Sequence, residues 1–448
     1  MSAPKPAARA DGVSLWRYLK LFRQDILSAQ PDKLYRAKMA EFRTPFFRSF
    51  LINQPDLVQQ VLVEEPERFP KSARVTAGLR PLLGQSVFVT NGETWKRQRR
   101  IIDPAFSGGR LKQIFPEILR AAKEASARLA DGPFDVEPFM SRIAADVIFR
   151  TMFSRSIDDA LAAKTYAAFQ TYQRSQPVLT PAAFVPGLPA RLRRKARLAA
   201  EDIRQSLRAL IEARRDEMAA GHAQDDLVTK LMSGVDPETG QGFSDEELLD
   251  QIAIFFLAGH ETSASTLAWA LWLLADAPNW AERVAGEGRD FAAAPSFAAL
   301  SKLPVTRNVV QETLRLYPPV PMMVREAAED QVFRKREVRA GSQIVISPWH
   351  IHRHEAHWDD ADDFRPDRWE DLRPREAHYL PFSAGPRICP GAGFAMTEAV
   401  VVIATLMGAH VFRTDGSRPT PVAHLTVRSR DGIRLIASRR NQTSSCRD

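Results

Sequence analysis

Cysteine is scarce in this chain, which has only Cys389 and Cys446 among its 448 residues. Cys446 lies in the polar stretch NQTSSCRD, so we expect a reduced, cytoplasmic protein and not a secreted disulfide framework. The opening residues, MSAPKPAARADGV, contain no apolar core of the kind that a secretory signal or a membrane anchor needs. The sequence therefore predicts neither secretion nor an N-terminal transmembrane helix.

Strong charge of one sign is also lacking. Lys and Arg number 62 against 54 Asp and Glu, which leaves a net charge of +8 spread along the chain. A nucleic-acid interface needs a concentrated basic stripe with interleaved aromatic residues, and none is present. We therefore expect no nucleic-acid partner. The hydrophobic fraction of 44% is ample for a large core.

Helical periodicity dominates what is present. Apolar residues recur at helical spacing through most of 94–233. A long helix is predicted from 245 to about 275, because Ser244 and Glu247 form a capping-box pattern before an apolar run. Strand-like runs lie toward the two ends of the sequence. The pattern predicts a mainly α protein with small β-sheets, an α+β arrangement.

The sequence contains no internal repeat. We expect a loose tail at 1–12, one large domain over 13–438 and a polar tail at 439–448. Near the start of the domain an amphipathic helix is predicted to end at Pro31. Near its end a helix at 392–409 follows a glycine-rich loop.

The glycine-rich loop FSAGPRICPGAG carries the most specific signal in the sequence. Cys389 stands just before a helix, where the positive end of the helix dipole favours a thiolate. Gly385 and Gly391 let backbone N–H groups turn toward the sulfur, and Arg387 is suited to pair with a carboxylate of a ligand. Taken alone, these features also describe a buried structural cysteine in a turn.

The spacing Phe-x-x-Gly-x-Arg-x-Cys-x-Gly, from Phe382 to Gly391, resembles the haem-binding loop of the cytochrome P-450 superfamily. The resemblance extends over nearly the whole chain and implies a single large, mostly helical haem domain. It implies that Cys389 is the axial ligand of a haem b, with Phe382, Arg387 and Gly391 beside the cofactor. A thiolate ligand pushes electron density onto the iron and favours O–O cleavage.

The predicted long helix contains the polar segment AGHETS within an apolar run. The acid argues against a membrane span, because it costs roughly 2.5–3.5 kcal/mol at a membrane centre. Two alternatives remain from the residues alone: a buried helix with satisfied polar groups, and a helix opened over a ligand by local Thr and Ser bonding. The segment is similar to the oxygen-binding stretch of the superfamily. That similarity implies that Ala258 leaves room for dioxygen and that Glu261 and Thr262 relay protons.

Another helical motif, ETLRLYPP, resembles the Glu-x-x-Arg helix of the same superfamily. It implies a structural network of Glu312 and Arg315 with Arg368 of FRPDRW, behind the cysteine loop. By itself, an acid–base pair three residues apart on a helix is usually a surface contact that contributes a few tenths of a kcal/mol.

Three arginines are predicted to bind the haem propionates. NGETWKRQRR resembles the superfamily helix whose Trp and Arg hold a propionate, which implies Trp95 and Arg99, although a solvated basic helix has the same pattern. Arg325 falls at another propionate position, and Arg387 lies in the cysteine loop. Guanidinium groups suit this role because their fork binds carboxylates bidentately.

Histidines crowd the segment WHIHRHEAHW, and zinc is the alternative that they raise. No CxxC or HExxH motif accompanies them, and the resemblance makes a His-Arg pair ordinary here. A zinc site is therefore the less favoured interpretation. The histidines in question are His350, His352, His354 and His357.

The resemblance implies a monooxygenase that inserts one oxygen atom of O2 into a lipophilic small molecule. A peroxide-driven peroxygenase and a non-catalytic haem-thiolate sensor remain as alternatives, and the pair Glu261–Thr262 argues against both because neither needs proton delivery. The absence of an N-terminal anchor favours a soluble, bacterial-type member. The substrate pocket is expected to be predominantly apolar. Its candidate residues are Phe255, Ala258, Val320, Met322 and Leu425.

No flavin or ferredoxin module is evident, so we expect no bound flavin and a monomer that receives electrons from a separate ferredoxin or flavodoxin with its reductase. The helix at 94–105 carries Lys96, Arg97, Arg99 and Arg100, and Arg110 and Lys112 follow shortly after it. We interpret this local cationic patch as a docking face for such an acidic partner. The basic segment at 182–197 is interpreted as a weak contact with anionic lipid.

Overall fold

The computed structural model describes residues 1–43, 47–107, 109–175, 194–372, 378–423 and 425–440. Helices dominate, and we number them in chain order within these residues. They are α1 (Leu15–Gln24), α2 (Pro55–Gln59), α3 (Ala73–Leu83), α4 (Gly92–Ile102), α5 (Gly109–Arg128), α6 (Val136–Phe153), α7 (Ala160–Ser175), α8 (Arg194–Ala219), α9 (Leu227–Ser233), α10 (Asp245–Ala275), α11 (Pro278–Ala293), α12 (Pro304–Leu316), α13 (Pro348–Ile351), α14 (Arg368–Asp371) and α15 (Ala392–Ala409).

The strands form small sheets. A four-stranded sheet has the order β1-β2-β7-β4, in which β2 and β7 are parallel and place Phe50 opposite Ile344. A three-stranded sheet has the order β3-β11-β8, and β5 pairs with β6 and β9 with β10. The strands are β1 (Met39–Arg43), β2 (Arg48–Ile52), β3 (Gly132–Asp135), β4 (Met323–Glu326), β5 (Gln331–Phe333), β6 (Arg336–Val338), β7 (Gln343–Ile346), β8 (His410–Thr414), β9 (Pro421–Ala423), β10 (Val427–Ser429) and β11 (Arg434–Arg439). The mainly α architecture with small sheets is the predicted one.

The long helix α10 organises the core. Its N-terminus carries the predicted capping box, because Ser244 Oγ accepts from Glu247 N and the Glu247 carboxylate accepts from Ser244 N at 2.9 Å. Its first half packs in one apolar cluster with α6, α7 and α8, and its second half packs in another with α12 and α15. At Gly259 the helix lies so close to α6 that a Cβ atom would meet Ile148 Cδ1 at 2.4 Å. The helix thus crosses the molecule through both cores.

Helix α15 begins at Ala392 and ends at Ala409, as predicted. It crosses α11 where two glycines meet, and a Cβ atom on Gly288 would lie 2.2 Å from Ala404 O. Among the described residues, α15 is the one helix apolar and long enough to cross a bilayer, but 56% of it is buried inside the protein. A buried core helix has the same composition, so the length and apolar character of α15 are weak evidence for a membrane span.

The N-terminal region differs from expectation. Helix α1 ends at Gln24, well before Pro31, because the Asp25 carboxylate accepts from Leu27 N and Ser28 N and turns the chain. The first residues, expected as a loose tail, are packed: Ala3 is buried, and its N–H donates to Asp362 O at 2.7 Å. The tail therefore lies against the segment that precedes α14. Such docking depends on a partner more than 350 positions away, which local composition does not reveal.

Candidate functional site

The cysteine loop lies against a short π-helical turn at Gln60–Glu64. Gly385 has a positive φ of 68°, and a Cβ atom there would lie 2.1 Å from Leu62 O. Only glycine fits this contact. The loop then folds back, with Cys389 N donating to Phe382 O at 2.9 Å, and Gly391 serves as the N-cap of α15. The spacing that singled out this loop is therefore the spacing of a tight turn that ends at the cysteine.

The thiol of Cys389 is solvent-accessible but deeply placed. Burial raises the pKa of this thiol, whereas the N–H of Gly391 and the positive charge of Arg99 lower it. The expected thiolate-favouring groups are thus in place, but in the protein alone desolvation outweighs them. A cationic metal bound at the sulfur would reverse that balance, because a coordinating thiol is deprotonated outright.

Thr262 lies on α10, where its Oγ1 donates to Ala258 O at 2.5 Å. This is the bond to the carbonyl four residues earlier that one of the two alternatives from the sequence requires. The helix is a continuous α-helix from Asp245 to Ala275, so the bond is made without interrupting it. The hydroxyl proton of Thr262 is committed to the helix, which leaves Oγ1 free to accept a hydrogen bond.

Glu261 is buried beside Thr262, and burial raises the pKa of its carboxyl group. Its Oε1 accepts from Gln173 Nε2 at 2.5 Å and lies 3.5 Å from Arg428 Nη2. These partners come from α7 and β10. Sequence reasoning missed both, because neither lies near Glu261 in the chain.

A second buried acid links α10 to the helix behind the cysteine. Ser263 Oγ donates to Glu398 Oε2 at 2.5 Å, and both residues are buried. Burial raises the pKa of Glu398 to about 8, with the Ser263 hydroxyl opposing the shift. Glu398 was not predicted, although an acid in the middle of the apolar run AMTEAVVVIATLMG is a signal that could have found it.

Cationic side chains surround the indole of Trp95. Lys71 Nζ lies 5.6 Å from the ring centroid, and the guanidinium carbons of Arg99 and Arg387 lie at 5.8 and 5.3 Å. Burial and the positive charges of Arg325, Arg387 and Arg99 hold the pKa of Lys71 well below its usual range. The structure thus brings the predicted Trp95, Arg99, Arg325 and Arg387 together and adds Lys71, which sequence reasoning missed.

This cationic cluster suits a ligand that carries carboxylates. The Nε atoms of Arg325 and Arg387 are buried and have no hydrogen-bond partner in the described part of the chain. Arg99 is less free, because Asp103 lies 2.6 Å from its Nε and its Nη1 donates to Ile388 O. Buried cations without anions are costly, so two carboxylates such as the propionates of haem b fit here.

The predicted structural network is built around one carboxylate. Arg315 Nε and Nη2 each donate to a different oxygen of Glu312 at 2.8 Å, and Arg368 Nε lies 3.2 Å from Oε1. Trp369 Nε1 also donates to Glu312 Oε2 at 3.0 Å, a partner that was not predicted. The remaining N–H groups of Arg315 donate to His352 O, Ala361 O and Asp363 O. The network therefore holds the strand-to-meander segment in place.

The crowded histidines are structural in this segment. His350 Nδ1 lies 2.8 Å from Ser347 Oγ, and His352 Nε2 accepts from Leu380 N at 2.7 Å. Burial lowers the pKa of each of these two imidazoles to about 3. Among the described residues no group of three or more His, Cys, Asp or Glu is arranged to hold a metal ion, so the zinc alternative receives no support.

The candidate pocket residues fall into two places. Phe255, Ala258 and Leu425 lie in or against the core around the first half of α10, where Phe106 meets Phe255 edge-on at 5.3 Å. Met322 packs against the other core, and Val320 is half-buried. Three of the five therefore belong to one apolar core, and their shared pocket stays a prediction.

The basic docking face predicted on α4 carries cations that already lie in ion pairs. Most of their acidic partners are distant in sequence and are brought to α4 by folding. Lys96 pairs with Glu67 and Glu93, Arg97 with Glu247, and Arg100 with Asp236 and Glu238. Lys112, on α5, is exposed and has no ion pair among the described residues. Most of the segment at 182–197 lies outside the described residues.

Comparison with known proteins finds one family and several relatives that cover most of the chain. Residues 24–435 match the cytochrome P450 family. The chain is 33% identical over 379 residues to cyclooctat-9-en-7-ol 5-monooxygenase of Streptomyces melanosporofaciens, covering 82% of this chain and 81% of that protein. It is 32% identical to cyclooctatin synthase of the same organism, covering 84% of each. It is 29% identical to a cytokinin hydroxylase of Arabidopsis thaliana, covering 86% of this chain and 78% of that protein.

A family match over most of the chain and a relative above 30% identity agree with the mostly helical fold with small sheets. The chain belongs to the cytochrome P450 family and is a monooxygenase of that family.

Proposed function

We propose that this protein binds haem b with Cys389 as the axial ligand and oxidises a lipophilic small molecule. The observation that carries the proposal is the set of buried arginine N–H groups without partners, on Arg325 and Arg387, in the same cationic cluster as Trp95. Arg387 is two residues from Cys389, so the carboxylate-binding groups and the sulfur belong to one loop.

When bound, the haem supplies the activation of dioxygen, which thiolate ligation favours. The protein supplies the pocket and the protons. The overall reaction is R–H + O2 + 2 e⁻ + 2 H⁺ → R–OH + H2O, or the corresponding epoxidation. Two protons are consumed in each turnover, and Glu261 and Thr262 are the residues of α10 that we assign to their delivery.

The substrate class follows from the apolar residues near α10, Phe255, Ala258 and Leu425. The names of the relatives include an unsaturated alcohol and a cytokinin, which differ widely. At about 30% identity they support small-molecule hydroxylation or epoxidation and leave the compound open. A peroxide-driven enzyme remains the second candidate, and the buried acid Glu261 beside Thr262 argues against it.

Electrons are proposed to come from NAD(P)H through a separate ferredoxin or flavodoxin and its reductase. We also keep as proposals a monomeric, cytoplasmic protein of the bacterial type, with peripheral lipid contact at 182–197. The ion pairs of α4 shift the proposed docking position toward the exposed Lys112.

The ligand assignment is tested on the reduced protein with carbon monoxide. Cys389→Ser should lose the red-shifted Soret band that is typical of thiolate ligation. Cys446→Ser is the matched control, and it should keep the band. A normal band in Cys389→Ser would overturn the assignment.

A further inference from the structure

Among the described residues, two polar contacts of the Glu261 side chain involve the same carboxylate oxygen, Oε1. Gln173 Nε2 donates to Oε1, and the same oxygen is the one nearest to Arg428 Nη2. Oε2 takes part in neither contact. A carboxyl group held in this way keeps a fixed orientation while its second oxygen remains available to accept or donate a proton.

The two anchors reach Glu261 from different elements. Gln173 lies near the end of α7, and Arg428 lies in the middle of β10. Strand β10 is itself fixed to α10, because Ser265 Oγ donates to Val427 O at 2.5 Å. Arg428 therefore directly follows a residue whose carbonyl is hydrogen-bonded to the helix that carries Glu261.

Within the part of the chain that the structure describes, three other ionisable groups interact with this cluster. Glu137 and His260 both feel the charge of Arg428, and Tyr172 feels that of Glu261. His260 is buried against Ser141 Oγ at 2.8 Å, and burial lowers the pKa of its imidazole to about 3. His260 thus stays neutral near pH 7, which leaves Arg428 as the positive group that contacts Glu261 among the described residues.

We propose that Arg428 and Gln173 are positioning residues for Glu261: Arg428 opposes its protonation by charge, and Gln173 fixes its orientation from α7. The inference rests on the proposed role of Glu261 in proton delivery. A buried acid without a positive neighbour becomes neutral, and a neutral acid that is not oriented delivers protons poorly. Proton delivery by Glu261 therefore depends on the position of α7, which carries Gln173.

The test is a double-mutant cycle on the haem-loaded protein, with unfolding followed by Soret absorbance from pH 5 to pH 9. Its variants are Arg428→Gln, Glu261→Gln and the pair of both. Removing Arg428 should raise the pKa of Glu261 further above its unfolded value. Because a raised acid pKa costs stability as pH rises, the deficit of Arg428→Gln should be about twofold or more greater at pH 9 than at pH 5. Adding Glu261→Gln should remove most of that pH dependence, and the part that remains belongs to Glu137, whose raised pKa Arg428 also opposes.

Matched controls separate positioning from general damage. Arg430→Gln changes an exposed arginine two residues away that has no ion pair among the described residues, and it should leave the pH profile unchanged. Arg428→Lys keeps the charge and should preserve the profile even if Arg428→Gln folds poorly. Gln173→Ala should show the same trend as Arg428→Gln with smaller size, whereas Gln170→Ala, one turn earlier on α7, should not.

The outcomes distinguish this inference from the proposed function. A parallel pH profile for wild type and Arg428→Gln, with a normal carbon monoxide band in both, would overturn the positioning role and leave haem binding intact. If the wild-type protein itself lacks the red-shifted Soret band with carbon monoxide, the proposed function is overturned.

Discussion

Ser263 and Glu398 join the helix that carries Thr262 to the helix that begins after Cys389, through a 2.5 Å hydrogen bond between two buried side chains. The second oxygen of Glu398 is buried and has no hydrogen-bond partner in the described part of the chain. A carboxyl group in this position is kept neutral by desolvation, because an ionised one would need more donors. The two sides of the proposed haem site are thus connected by one protonated acid.

The first prediction follows from the pKa of Glu398, which burial raises to about 8. The unfolded state loses its proton near pH 4.5 and the folded state near pH 8, so this group costs stability as pH rises between those values. Glu398→Gln should flatten that part of the stability curve and raise the relative stability at pH 8. Urea unfolding at pH 5, 6.5 and 8 measures it, and an unchanged slope would contradict the assignment.

The second prediction concerns the tight turn before Cys389. Gly385→Ala should lower both the haem content and the unfolding midpoint, because its Cβ atom would meet Leu62 O at 2.1 Å. Gly416→Ala is the matched control, since Gly416 also has a positive φ, of 90°, but has open space around it. The control should cost about 1 kcal/mol from backbone strain alone and keep its haem. Equal losses in the two variants would count against the close contact.

The third prediction concerns proton delivery at α10. Thr262→Ala should keep haem bound but divert reduced oxygen to peroxide, because the hydroxyl next to Glu261 is lost. The measurement is the hydrogen peroxide released per NAD(P)H consumed in the reconstituted system, and we expect a several-fold increase. Thr266→Ala, one turn further along the same helix, is the control and should behave as wild type. Unchanged peroxide release in Thr262→Ala would remove the relay.

The fourth prediction separates a structural cation from a docking cation. Arg100→Glu should lower the unfolding midpoint, because it places a third carboxylate beside Asp236 and Glu238. Lys112→Glu should leave stability unchanged but slow reduction by an acidic ferredoxin. In the wild-type protein the reduction rate should fall as the salt concentration rises, because salt screens the attraction between Lys112 and the ferredoxin. Stopped-flow reduction at several ionic strengths, with dithionite as the control reductant, measures the effect. A rate indifferent to salt and to the charge at Lys112 would exclude this face.

Three features could be predicted from the sequence alone: the turn at Cys389, the helices α10 and α15, and the motif residues that form the Glu312 network. These features are local: their spacing, capping pattern and apolar periodicity lie within a few turns of chain. Helix α10 therefore begins after Ser244, and α15 after the glycine turn, at the predicted residues.

Only the tertiary structure shows which cationic side chains lie in ion pairs and which residues contact the buried acids. Arg100 pairs with Asp236, Lys71 lies beside Trp95, and Glu261 contacts Arg428 from a distant part of the sequence. Each of these contacts joins elements that are distant in the chain, so local composition carries no sign of it. A buried charge is costly unless an oppositely charged or hydrogen-bonding group lies beside it. Which group lies there depends on how the helices and strands pack.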